Sequence, residues 1–295
     1  MTYLALSIAL SACIFLMFQL FPRWKVETFT AIVINYGVAA ALGWGLAGGI
    51  QTYTEVATTP WTIIALVMGF LFIYLFQLIA RSTQENGVTV TSIAAKLSMV
   101  IPVALFLMFD PTDALDLRKG LAISLSIPAI ILASWKPNNP QKIANWRMPL
   151  VIFIGSGLID LMFAAFSGDA HMVRVEHRFL FAALPLITAF LAGAGWKVVK
   201  VRKSKTTLLP NPATIWAGVS LGIINFGSLY CLLETYDKTG IDRSAVMPVN
   251  NLGVILLSAG LSVALLQERL ASRNVAGLIL GAIAIALLLW EALVP

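Results

Sequence analysis

Apolar residues recur along this chain in ten long runs separated by short polar segments, and few charges enter any run. The runs cover 2–21, 28–48, 61–80, 88–109, 118–135, 149–167, 179–196, 213–234, 243–266 and 274–293. A bilayer's hydrocarbon core is about 30 Å thick and needs roughly 20 apolar residues to cross as a helix. Each run therefore predicts a membrane-spanning helix. Proline or glycine punctuates the connections at Pro22, Gly48-Gly49, Pro60, Gly87, Pro137, Pro140, Gly168, Pro210 and Pro212. The first run lacks the basic flank of a signal peptide and outlasts an h-region of about 7–15 residues, so it is expected to be a retained helix. The longest linkers, 136–148 and 197–212, are too short and polar to be domains.

Composition agrees with this pattern. Hydrophobic residues make up 59% of the chain and charged residues 12%, with a mean hydropathy of +0.88. A soluble domain carries about 25% charged residues, so a water-soluble single-core fold is excluded. The net charge of +6 does not indicate nucleic acid, because the basic residues lie scattered in loops. Lys and Arg favour one set of loops: Arg23, Lys25, Arg81, Lys136, Lys142, Arg147, Lys197, Lys200, Arg202, Lys203, Lys205, Arg269 and Arg273. The alternate loops hold fewer: Arg118, Lys119, Arg174, Arg178, Lys238 and Arg243. By the positive-inside rule the first set is cytoplasmic and both termini are extracytoplasmic, which predicts a multi-pass protein of the inner (plasma) membrane. Trp24, Trp61, Trp135, Trp146, Trp196 and Trp290 lie near run ends, as interfacial anchors do. Cys13 and Cys231 fall inside runs and read as packing thiols.

The runs fall into halves, 1–135 and 149–295, joined by the basic linker 136–148. A shift of 153 residues lays Phe76–Ser92 over Leu229–Ala245, so that Arg81 meets Glu234 and Gly87 meets Gly240. Five helices per half would place the halves in opposite orientations, the inverted-repeat plan of many secondary transporters. The stretch from Thr239 to Trp290 carries Gly240-Ile241-Asp242-Arg243-Ser244-Ala245, Leu266-Gln267-Glu268-Arg269-Leu270 and Ala276-Gly277-Leu278-Ile279-Leu280-Gly281-Ala282. It resembles the second repeat of EamA-type members of the drug/metabolite transporter superfamily. In the first half Gly87-Val88-Thr89, Ser92-Ile93-Ala94 and Pro102 fit, whereas Asp110-Pro111-Thr112-Asp113 replaces the expected turn. The resemblance implies an all-α integral membrane fold, ten helices in a 5+5 inverted repeat, and a central cavity lined by the first, third, fourth, sixth, eighth and ninth helices. It implies no particular substrate.

Lys96 in the fourth run and Asp160 in the sixth are the two deeply placed charges. A charge at that depth costs several kcal/mol unless a partner, cavity or water receives it. Lys96 suits a substrate carboxylate or phosphate; a snorkelling or ion-paired lysine is the structural alternative. Asp160 suits a substrate amine or a proton, or simply neutralises Lys96. Ser92 and Ser156 each stand one turn before these residues on the same face. In the ninth run Pro248 is expected to open the helix, with Ser244, Met247, Asn250 and Asn251 around it. Tyr74 and Gln77 form a stripe with Arg81, and the repeat-related eighth run offers Asn225, Ser228, Tyr230 and Glu234. Arg81 and Glu234 are candidates for a gate pair. His171, His177, Asp169 and Glu176 share one short loop, but their spacing matches no zinc signature.

These features lead to the expectation of a non-enzymatic transporter, secondary active or facilitative, for a small polar anionic or zwitterionic metabolite such as an amino acid. No cofactor, metal or nucleic acid is expected; the partners are the solute, membrane lipid and, as a candidate coupling ion, the proton, with the protein a monomer or homodimer. An exporter of hydrophobic cations is one alternative. Another is a membrane enzyme acting on a lipid-linked substrate through Asp160, Glu176 or His177.

Overall fold

A computed structural model of the chain describes residues 1–46, 60–109, 117–134, 146–167, 178–204, 210–238 and 243–293. Among the described residues all regular structure is helical: α1 (Thr2–Leu20), α2 (Thr28–Leu46), α3 (Pro60–Asn86), α4 (Val88–Leu97), α5 (Val100–Phe109), α6 (Leu117–Ala133), α7 (Arg147–Ser167), α8 (Arg178–Ser204), α9 (Pro212–Lys238), α10 (Arg243–Leu266) and α11 (Ser272–Leu293). Among the described residues, seven stretches are long and apolar enough to cross a bilayer: Thr2–Leu20, Thr28–Leu46, Thr62–Asn86, Val88–Leu105, Phe179–Lys200, Pro212–Tyr236 and Val246–Leu266. The distribution of polarity is the reverse of a soluble protein's. Large apolar side chains such as Ile63, Phe70, Trp216 and Leu265 face outward, while Ser7, Thr89, Ser92, Asn250 and Asn251 are buried. The protein is a multi-pass membrane protein.

The chain forms two compact units. The first comprises Met1–Gln19, Leu78–Leu161 and Gly227–Pro295. Its core joins α4, α6, α10 and α11 through Ile93, Leu97, Ala129, Ile130, Ile255 and Ile285. α6 and α11 approach each other closely. A Cβ added at Gly277 would lie 2.4 Å from the Ala133 nitrogen and 2.7 Å from the Ala129 carbonyl oxygen, so the two backbones are in contact. Asn274 completes the junction by donating to the Ala133 carbonyl at 2.6 Å.

The second unit comprises Leu20–Gln77 and Met162–Phe226, and α2 packs along α8 within it. Small residues again allow the approach: Gly193 is covered by Val33 and Ile73, and Gly218 by Ile34. Lys197 pairs with Glu27 at 3.4 Å and donates to Thr30. Asn211 caps α9 through Thr214 N at 2.8 Å and donates to the Lys25 carbonyl at 3.0 Å.

Candidate functional site

The sequence predicts one helix over 88–109, but the structure divides it into α4 and α5 with a turn at Ser98-Met99. Pro102 explains the position of the break. Proline has no N–H for the carbonyl four residues earlier, and its ring clashes with that carbonyl. Four residues before Pro102 is Ser98, whose carbonyl instead accepts from Ile101 N at 2.9 Å. α10 departs from expectation the other way, running unbroken through Pro248. The bond that proline removes would have reached Ser244, in the opening turn, so the rest of α10 is undisturbed.

Both ends of α4 lie inside the first unit, and each meets a charge of the sign its dipole favours. At the start, Gly87 takes φ 98°, a conformation suited to glycine, and the Glu268 carboxylate lies against it. Glu268 accepts from Thr89 N at 3.4 Å and from Thr89 Oγ1 at 3.3 Å. Glu268 reaches that point because Gln267, at φ 55°, ends α10 in a left-handed turn. At the other end, Lys96 occupies the last turn of α4.

A polar cluster surrounds that second end. Ser98 Oγ lies 2.7 Å from Asp160 Oδ2, and Lys96 interacts with the same carboxylate as a charge rather than as a hydrogen-bonded partner. Asn251 of α10, only 2% exposed, donates to the Lys96 carbonyl at 3.1 Å. Gly157, one turn before Asp160, lets α7 close on Ile101 of α5; an added Cβ would meet that side chain at 2.4 Å. Three helical segments distant in sequence thus bring a cation, a carboxylate, a hydroxyl and an amide to one helix break. Such a cluster can hold a small solute with an acidic and a basic group, or exchange a proton.

The other predicted residues fall in different places. Ser92 is buried and turned along its own helix, donating to the Thr89 carbonyl at 3.1 Å; Ser156 is half-buried beside Asp160. Asn250 and the Ser228 carbonyl meet at Ser7, whose Oγ lies 3.1 Å from Asn250 Oδ1 and 3.0 Å from Ser228 O. Met247 and Tyr230 are half-buried in the same unit. Arg81 pairs with Glu85 at 2.7 Å and Glu234 with Lys238 at 2.5 Å, each on its own helix. Tyr74, Gln77 and Asn225 belong to the second unit: Tyr74 is 60% exposed, the buried amide oxygen of Gln77 has no partner among the described residues, and the Asn225 amide lies 3.2 Å from that of Asn35. His171, His177, Asp169, Glu176 and the Ser244 side chain lie outside the described residues.

Sequence reasoning passed over Ser98, Ser7 and Asn35, polar residues in apolar runs whose partners lie elsewhere in the chain. It also passed over Glu268 as a contact of α4. Only Pro102, read for its effect four residues upstream, would have located the break.

No protein-family model matches the chain, and no curated protein matches it. Among solved structures, one crystal structure aligns over 98% of this chain and 99% of its own with a TM-score of 0.56 at 17% sequence identity. That likeness shows the fold alone.

Proposed function

We propose that the protein is a transporter, secondary active or facilitative, for a small anionic or zwitterionic metabolite such as an amino acid, working by alternating access. The observation that carries this is the helix break within an apolar, membrane-crossing stretch, with Lys96 and Asp160 interacting beside it. Discontinuous membrane helices are where secondary transporters bind solutes, since the ends of the half-helices supply polar backbone and dipoles to the site. Lys96 and the N-terminal end of α5 would receive the acidic group; Asp160, Ser98 and the C-terminal end of α4 would receive the basic one.

The ten apolar runs and the Phe76/Leu229 register support ten spans in a 5+5 inverted repeat of the EamA kind, with α6, α7 and α11 also crossing the membrane. The loop charges support an inner-membrane location with extracytoplasmic termini. Arg81 and Glu234 serve as gate residues only if they leave Glu85 and Lys238 during the cycle.

The test is thermal stabilisation of the purified protein across amino acids, organic acids, sugar phosphates, nucleotide sugars and hydrophobic cations. A ligand of the folded state stabilises by RT ln(1 + [L]/Kd), so a millimolar-affinity solute registers at tens of millimolar. Stabilisation by a carboxylate or phosphate that vanishes in Lys96→Ala is expected. Stabilisation only by hydrophobic cations, kept in Lys96→Ala and lost in Asp160→Asn, would assign a drug exporter instead.

A further inference from the structure

The oxygen of Ser98 is placed between two acceptors. It lies 2.8 Å from the Ala95 carbonyl oxygen and 2.7 Å from Asp160 Oδ2, both ordinary O–H···O distances. A serine hydroxyl carries one proton. With Asp160 ionised, one of the two contacts has no hydrogen in it. With Asp160 protonated, its O–H donates to Ser98 Oγ, Ser98 donates to Ala95, and both contacts are filled. Other serines within or just after a helix, Ser124, Ser126, Ser134, Ser258 and Ser262, also bond back to a carbonyl in the preceding turn. For Ser98 a carboxylate is added.

We propose that Asp160 is a reversible proton-binding site whose occupancy is passed through Ser98 to the end of α4. When the proton leaves Asp160 for water, the Ser98 hydroxyl rotates from the Ala95 carbonyl to Oδ2. Ala95 is among the last four residues of α4, whose carbonyls lack partners within the helix, so this rotation uncaps the break. Among the described residues the charge interacting with Asp160 is Lys96. An anion bound at Lys96 withdraws that charge from Asp160 and favours proton uptake, which would make the proton and an anionic solute travel together. The role in coupling rests on the function proposed above; the proton site stands on the geometry alone.

Infrared difference spectra of the full-length protein in lipid, recorded across pH, test the site through the carbonyl stretch of a protonated carboxylic acid. A titrating band is expected in the wild type, lost in Asp160→Asn and shifted to higher frequency in Ser98→Ala. Absence of the band, or its survival in Asp160→Asn, overturns the proton site; an unmoved band in Ser98→Ala overturns the relay. Uptake of a labelled mixture of amino acids into vesicles then tests coupling. Uptake accelerated by an inward proton gradient, and indifferent to it in Asp160→Asn, is expected. Wild-type uptake that ignores the gradient overturns coupling while transport stands. If no amino acid enters, amino-acid transport falls and coupling with it, while the infrared result still decides the proton site.

Discussion

Asn251 holds the backbone of Lys96 rather than its ammonium group: the amide donates to the Lys96 carbonyl at 3.1 Å. That carbonyl lies in the last turn of α4 and has lost its in-helix partner to the break. The bond therefore fixes where α4 ends and leaves the lysine side chain free for other work.

Removing the amide should strand a buried carbonyl. Asn251→Ala is expected to lower unfolding stability by about 1 kcal/mol, between the modest value typical of interhelical bonds in membranes and the larger penalty of a buried unsatisfied group. Denaturant unfolding in mild detergent measures it, and an unchanged midpoint would show that the bond contributes nothing.

Gly87 and Glu268 should behave as a coupled pair. An added Cβ at Gly87 would sit 2.2 Å from Glu268 Oε1, and the φ of 98° is itself unfavourable for alanine. Gly87→Ala is expected to destabilise by more than the roughly 1–2 kcal/mol of the backbone strain alone. In the Glu268→Ala background the same change should cost less. Equal costs in both backgrounds would mean that the carboxylate does not press on this position.

Two glycines separate close packing from mere presence in a helix. Gly277→Ala should be strongly destabilising, because its Cβ would meet the α6 backbone. Among the described residues, nothing lies within 4 Å of a Cβ at Gly260, so Gly260→Ala should be neutral or stabilising, by about 0.5–1 kcal/mol from helix propensity. Thermal melts of the two variants side by side decide it; a reversed order would contradict the α6–α11 contact.

Lys238 predicts a pH dependence. Its hydrogen bond and charge interaction with Glu234 raise the ammonium pKa above its ordinary 10.5. A raised folded-state pKa contributes stability below the unfolded value and loses it as pH climbs through the folded one. The melting-temperature difference between wild type and Lys238→Met should hold steady around neutrality and shrink above pH 10.5. Because the lysine is exposed, the difference should be small and fall with added salt. A difference growing with alkalinity would reverse the assignment.

The membrane character of the chain was legible because span length and charge exclusion are properties of each run taken alone. Lys96 and Asp160 stood out for the same reason: a charge in an apolar run is visible without its partner. Their mutual neutralisation was weighed, and the structure brings both residues to the same helix break. Ser98 was not legible, since a serine in a helix usually bonds back to its own turn and nothing nearby marks Asp160, 62 residues away, as its second contact. The break was misplaced because both Pro102 and Pro248 lie in apolar runs, and only position decides their effect. Pro102 acts on Ser98 in mid-run, Pro248 on the opening turn of α10. Glu268 was read as part of a turn, where its sequence neighbours put it, although its side chain reaches the start of a helix nearly 180 residues earlier.

The backbone contact at Gly277 also has a mechanical meaning. Helices held apart by long side chains can slide, as one set of interlocked side chains trades for another. With main chain resting on main chain, and Asn274 pinned to Ala133, α6 and α11 have no such slack. A twist applied to either helix should be passed to the other, so a covalent link joining the two is expected to be tolerated.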